Sequence, residues 1–519
     1  MTSASTAPVL LHEREDIHRR RWFLLGVMCL SLVLVVMSVS GLNVAIPSLQ
    51  QDLNASATDL QWIVDSYAII FAGLLLTAGA LGDRFGRKGA LLVGLAIFAG
   101  GSLVGVVATE SPQVIASRSI MGIGAALIMP ATLSLLTAIF PPRERTTAIA
   151  VWAGFAGAGG ALGPLVVGFL LTGWWIFPSF WWGAAFVMNI VVVALVFVAV
   201  AVFAPRSRDD EATPLDPVGA VLSLVGLAAL LYGIIEGPQK GWTDGLIVAS
   251  FVTAAVVLTA FMAWEARTEH PMLPLGFFRD RRFSVGSGVI TFGFMVMFGF
   301  FFLFSQYLQF ARGYSPLEAG AATLPMAATL ILVSPRSAHL TERLGLGRVI
   351  TAGFVLMVAG FLMMAMITPD TPYLLLVVGM VLLGSGMGIT MAPATGAIMS
   401  SVPLNKAGVG SAVNDTTREV GGALGIAILG SIATSAYRGG VDLSALPAEA
   451  QEAAGESIGA AIGIARQFGG EGGAALVAEA SQAFTDAFNT TMLVAAAIGV
   501  ASAVGAALAA RRIGTREQS

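Results

Sequence analysis

Charge is what this sequence lacks. Only 11% of its 519 residues are Asp, Glu, Lys or Arg, 56% are hydrophobic, and mean hydropathy is +0.82. A soluble chain carries about 25% charged residues, so this chain is read as a polytopic membrane protein. The single cysteine, Cys29, lies in an apolar run and excludes an intrachain disulfide. The four histidines, His12, His18, His270 and His339, have no metal-ligand spacing. No P-loop pattern is present, which excludes ATP-driven transport within the chain. Nothing implies an enzyme, a metal, a nucleotide, nucleic acid or any cofactor; the net charge of −3 carries no information about partners here.

What is present is a series of apolar runs long enough to cross a bilayer, roughly 20 residues each. They predict about fourteen helices, at 22–44, 59–81, 89–108, 113–139, 147–172, 182–204, 216–236, 244–264, 283–309, 317–338, 349–368, 372–400, 409–434 and 485–510. The bases test that count. With the N-terminus inside, 22 of the 28 Lys and Arg fall in inner segments, four (Lys240, Arg312, Arg438, Arg466) fall outside, and Arg118 and Arg418 fall within spans. A missed helix would have swapped every later loop, so both termini are expected in the cytoplasm. The run after Arg21 is read as a retained first span.

The chain also repeats itself. Gly159-Gly-Ala-Leu-Gly163 and Gly168 return 262 residues later as Gly421-Gly-Ala-Leu-Gly425 and Gly430, and Pro130-Ala-Thr returns as Pro393-Ala-Thr. The hairpin Gly79, Asp83, Arg84, Gly86, Arg87, Lys88 is echoed by Glu342, Arg343 and Gly345. Such internal repeats mark a duplicated bundle. The expected organisation is an inner tail (1–21), a six-helix bundle (22–204), an inserted pair with linkers (205–282), a second six-helix bundle (283–510, with an outer loop at 435–484) and an inner tail (511–519). An amphipathic helix is expected around Glu452 to Phe468.

These motifs resemble a known family. Gly79-x-Leu81-Gly82-Asp83-Arg84-x-Gly86-Arg87-Lys88 resembles the signature loop of the major facilitator superfamily, Arg118-x-x-x-Gly122-x-Gly124 its fourth-helix motif, and Gly159-x-x-x-Gly163-Pro164-x-x-x-Gly168 its fifth-helix antiporter motif. Fourteen helices, with Leu215 to Ala220 opening the seventh, look like the drug:proton antiporter subfamily (EmrB/QacA-like). The resemblance implies the major facilitator fold, two pseudo-symmetric bundles plus two inserted helices, in the cell membrane, as a monomer driven by the proton gradient. One departure is in the first helix, where Ser38 and its neighbours stand in place of an acidic residue.

The buried charges are the candidate machinery. Asp65 in the second helix suits a proton acceptor reachable from outside, or a partner for Arg118 at similar depth. Asp415 and Glu419 are i, i+4 on the thirteenth helix, with Arg418 flanking them. Two carboxylates in low dielectric cannot both ionise cheaply, so one proton can be held and exchanged for a cationic cargo. The alternative starts that helix at Val420 and leaves the cluster wet. Asp83, Arg84, Gly86, Arg87, Lys88, Glu342 and Arg343 read as gates; Gly79, Gly159, Gly163, Pro164 and Gly168 read as close-packing or bending positions. Trp62, Tyr67, Phe298 and Tyr307, with Phe294, Met295, Phe302 and Met391, are candidates for an apolar pocket. The function expected is proton-coupled export of drugs or hydrophobic or cationic small molecules. The alternatives are a dedicated exporter or facilitator of one metabolite and, from another class, a membrane scaffold or sensor.

Overall fold

The computed structural model describes residue 11 and residues 14–53, 55, 57–172, 180–207, 216–444, 446–447, 450–451, 454–455 and 457–514. Leu215 and Glu452 lie outside them, as do parts of both expected tails. The first half contains α1 (Glu15–Ser40), α2 (Leu42–Leu53), α3 (Ala57–Phe85), α4 (Arg87–Val106), α5 (Ser111–Ile139), α6 (Pro142–Thr172) and α7 (Ala184–Phe203). An inserted pair follows, α8 (Pro217–Lys240) and α9 (Gly245–Glu265). The second half contains α10 (Arg281–Gln306), α11 (Pro316–Ala322), α12 (Leu324–Leu344), α13 (Leu346–Met364), α14 (Tyr373–Ser400), α15 (Ala407–Gly440), α16 (Ile458–Phe468) and α17 (Gly470–Gly514). Thirteen of the described helical segments are long and apolar enough to cross a membrane. With the 31-residue α6, about fourteen helices span.

Local chemistry explains where helices depart from the expected limits. The first span breaks at Gly41, which packs against the Gly163 backbone of α6 so closely that an added Cβ would lie 3.1 Å from the Gly163 carbonyl oxygen. The tenth span divides into α11 and α12 at Thr323, just before Pro325, which has no N–H to continue the ladder. A capping box at Ser315 and Glu318 starts α11. Helices extend into the outer loop expected at 435–484: α15 continues to Gly440 and α17 begins at Gly470. Alanine, abundant there, is the best helix former.

Buried apolar side chains form two large clusters, one mainly from α1 to α7 and the other mainly from α10 to α17. The bundles meet along α3 and α15, along α6 with α12 and α14, and along α5 and α15. Small residues make these approaches possible. A Cβ on Gly79 (α3) would lie 2.5 Å from the Gly408 carbonyl oxygen (α15), so glycine is required at that crossing. The inserted α8 packs on both α3 and α15, beside the seam rather than within it.

Candidate functional site

Charged side chains concentrate at three levels of the seam. At one end, called the latch end, Asp83 at the close of α3 is 4% exposed. Its carboxylate accepts the backbone N–H groups of Gly408 (2.9 Å) and Val409 (3.2 Å) at the start of α15. These are groups that a helix start leaves without intrahelical partners. Arg87, opening α4, donates to Asp83 (2.9 and 3.1 Å), to Ser207 Oγ (3.0 Å) and to the Leu404 carbonyl. Gly86, at φ +106°, makes the turn between α3 and α4 in the left-handed region that favours glycine. Lys88 donates to the carbonyls of Ala201 and Ala204 at the end of α7, where cations are favoured. The repeated copy is different. Glu342 is 69% exposed at its side chain and lies 3.9 Å from His339; Arg343 is exposed as well.

The central level belongs to α15. That helix starts at Ala407, not Val420, so Asp415 and Glu419 lie in its third and fourth turns, and Asp415 is fully buried. Arg418 donates to Glu419 (3.2 and 3.3 Å) and to the sulfur of Met129 in α5 (3.0 Å); it lies 3.9 Å from Asp415 and 5.7 Å from the Phe294 ring centroid. Asn414 links Asp415 Oδ1 (3.2 Å) to the Thr395 hydroxyl of α14 (3.0 Å). Asp415 Oδ2 has no hydrogen-bond partner among the described residues. A charge near the bilayer centre costs about 2.5–3.5 kcal/mol on insertion scales. Three charges within two helical turns are therefore a purposeful expense of stability, joined across the seam by one guanidinium.

Beside this cluster is a small cavity of about 20 Å³, walled by Trp152, Phe294, Ser334, Met391, Asn414 and Arg418 among others. That is room for about one water. Ser334 on α12 donates to the Ala150 carbonyl on α6 at 2.6 Å, and Gly320 of α11 packs on Pro164. The two bundles are thus in contact at the centre through Ser334 and, farther along α6, through Gly320.

At the third level, Arg118 on α5 is 1% exposed and donates to the carbonyls of Ile63 (3.1 Å) and Ser38 (3.3 Å). Its guanidinium lies 4.3 Å from the Tyr67 ring centroid. The hydrogen bonds described for it thus go to backbone, and Asp65 is also buried, on α3. Ser38, where the resemblance leads one to expect an acid, brings its carbonyl to this arginine.

Of the pocket candidates, Phe294 and Met391 wall the central cavity, and Phe298 packs on Phe294 at 5.5 Å. Tyr67 lies under Arg118 and donates to the Val35 carbonyl at 3.4 Å, while Trp62 lies against Tyr232 of α8 at 6.1 Å and Tyr307 stacks on Phe488 and donates to the Thr368 carbonyl. Trp152 and Met129 were not singled out in sequence, and Thr395 stood only as the end of a repeat, since nothing in a long apolar run marks the face that meets the other bundle.

The chain matches the Major Facilitator Superfamily over residues 28–426. It belongs to that superfamily. Its facilitator relatives include the multidrug efflux pump LfrA of Mycolicibacterium smegmatis, 33% identical over 95% of this chain and 97% of that protein. The methyl viologen resistance protein SmvA of Salmonella typhimurium is 32% identical over 94% and 97%. The fold is shared with the human organic anion transporter MFSD10 (TM-score 0.60, 13% identity, 92% and 99% covered). It is also shared with a bacterial homologue of the lysosomal transporter Spinster (TM-score 0.58, 18% identity, 95% and 97% covered). The chain is a multi-pass membrane transporter, not an enzyme.

Proposed function

We propose that this protein is a proton-coupled efflux antiporter that exports hydrophobic or cationic small molecules from the cytoplasm by alternating access, with both termini and the latch end inside. The observation that carries the reading is Arg418. It neutralises Glu419 and approaches Asp415, with a Phe294 wall beside it, at the centre of the seam. A cationic cargo that displaces Arg418 from the carboxylates, or a proton that neutralises them, produces the same charge balance, so the two compete for one site. The apolar and methionine walls suit varied ligands. Asp65 and Arg118, toward the opposite end, stand where protons from outside reach the chain first. The relatives named for multidrug efflux and for methyl viologen resistance support this cargo class.

The test is proton release when a lipophilic cation is added to vesicles containing the purified protein. Release by the intact protein and its loss in Asp415→Asn or Glu419→Gln is expected; transport that ignores pH would overturn the coupling. A dedicated product is the second reading, supported by a relative named as the tetracenomycin C resistance and export protein of Streptomyces glaucescens, 33% identical over 80% of this chain. An efflux panel of cationic, neutral and anionic compounds in a host lacking its own pumps separates the two.

A further inference from the structure

The two copies of the hairpin repeat end differently, and the difference leaves a space. Asp83 closes onto the start of α15. Between the corresponding turn of the second bundle, Thr341 to Arg348, and Thr146 near the start of α6, there is instead a cavity of about 1280 Å³. Its rim carries Arg282 from α10 and Arg348 from the first turn of α13. Gly345, at φ +84°, turns the chain into α13, and among the described residues no side-chain cap hydrogen bond is made to the N–H groups that follow. Its wall is apolar, built from Val285, Ile350, Val355 and Leu356, with Ala506 and Ala507 of α17. No Asp or Glu lines it among the described residues. The nearby Asp280 accepts the Arg282 backbone N–H, capping α10.

Three features together specify a ligand. The rim is positive and offers uncapped helix N–H groups, which suit phosphate. The wall opens sideways, since Val355 is 56% exposed on an apolar helix that faces hydrocarbon. The volume exceeds the roughly 300–1,000 Å³ of sites for drug-sized molecules. We propose that an anionic phospholipid of the leaflet at the latch end occupies this cavity. Its phosphate sits on Arg282, Arg348 and the first turn of α13, and its acyl chains lie along Val355, Leu356 and Ala507. Basic pockets between membrane helices take anionic headgroups in this way. The lipid fills the contact between α6 and the second hairpin that Glu342, turned to solvent, does not make.

The experiment measures lipid retention by native mass spectrometry on the full-length protein from nanodiscs of phosphatidylglycerol or phosphatidylcholine, with no cargo and no gradient. Its outcome is therefore independent of the coupling scheme. Retention of phosphatidylglycerol over phosphatidylcholine is expected. It should fall roughly 25-fold in the Arg282→Gln/Arg348→Gln double variant, at about fivefold per arginine. Ala507→Trp, which fills the apolar wall and leaves the charges intact, should lower it too, and serves if the double variant does not fold. Equal retention of the two lipids overturns the proposal, as does undiminished retention in a double variant that melts like the parent. Displacement by inorganic phosphate alone would assign the rim to a free anion and overturn it equally.

Discussion

Asp83 of the first bundle holds the first backbone N–H groups of α15 in the second, with Gly408 N at 2.9 Å, while Arg87 holds Asp83 from behind. Two bundles are thus joined by one carboxylate whose own counter-ion is 3% exposed. Removing the carboxylate leaves that arginine buried without its partner, a loss of about 3–5 kcal/mol, and only in the state where the latch is shut. Asp83→Ala should therefore shift the protein toward opening at this end by about two to almost four powers of ten. In a Cys29→Ser background, the buried Val409→Cys should then label rapidly with a membrane-impermeant maleimide added at the latch end. Labelling as slow as in the parent would refute the latch.

Arg418 is expected to be the costliest single truncation in the centre. Arg418→Leu leaves Asp415 and Glu419 facing each other across one turn, and thermal stability in detergent should drop by several kcal/mol. Adding Asp415→Asn and Glu419→Gln to that variant should recover most of the loss, because the acids and the base act as one unit. Additive losses in the triple variant would show that the three charges are independent.

The repeated glycines are not equivalent. A Cβ at Gly163 would collide with Ser40 Oγ and the Gly41 backbone, and one at Gly425 with the Met295 carbonyl. At Gly430 the nearest atom, on the Phe302 ring, is 3.4 Å away, and at Gly160 nothing lies within 4 Å. Gly163→Ala and Gly425→Ala should each cost about 1–3 kcal/mol or more through overpacking and depress expression. Gly430→Ala and Gly160→Ala should express and transport like the parent, as measured by fluorescence-detected gel filtration and efflux.

Near the start of α6, Glu144 accepts two hydrogen bonds from Arg21 of α1 (2.7 and 3.0 Å), which hold its carboxyl below the ordinary value of 4.5. A depressed carboxyl contributes stability that is present above its unfolded-state value and is lost as pH falls through the folded one. The melting temperature should therefore decline below about pH 4.5 more steeply in the parent than in Arg21→Gln. The difference will be small, since the pair is partly exposed. Identical pH profiles would show that the pair contributes nothing.

Much of the architecture was legible because a bilayer imposes length and charge asymmetry on a sequence. Apolar runs gave the spans, and the Gly159 and Gly421 repeats gave the two-bundle plan. Burial of Asp415 was readable from its repeat partner Ala153, which sits inside an apolar run. What did not show was rotation about each helix axis. Around Trp62 and Tyr307 apolar residues occur on more than one face, so no periodicity distinguishes the central face from the one toward α8 or α17. Arg118 was equally opaque, since its partners are the carbonyls of Ile63 and Ser38, and every residue has a carbonyl. The repeat also misled at Glu342. An echo of Asp83 in sequence does not bring a second helix start within reach of its carboxylate.

The length of α17 has a practical consequence. Forty-five residues make a rod of roughly 68 Å, about twice the hydrocarbon thickness of about 30 Å. A helix of that length extends well past a single crossing, and α16 rests against its first turns. A stiff mast of this kind moves as one body with the second bundle. An antibody fragment or a fluorophore fixed to it would report the tilt of that bundle directly, without any label in the cargo path.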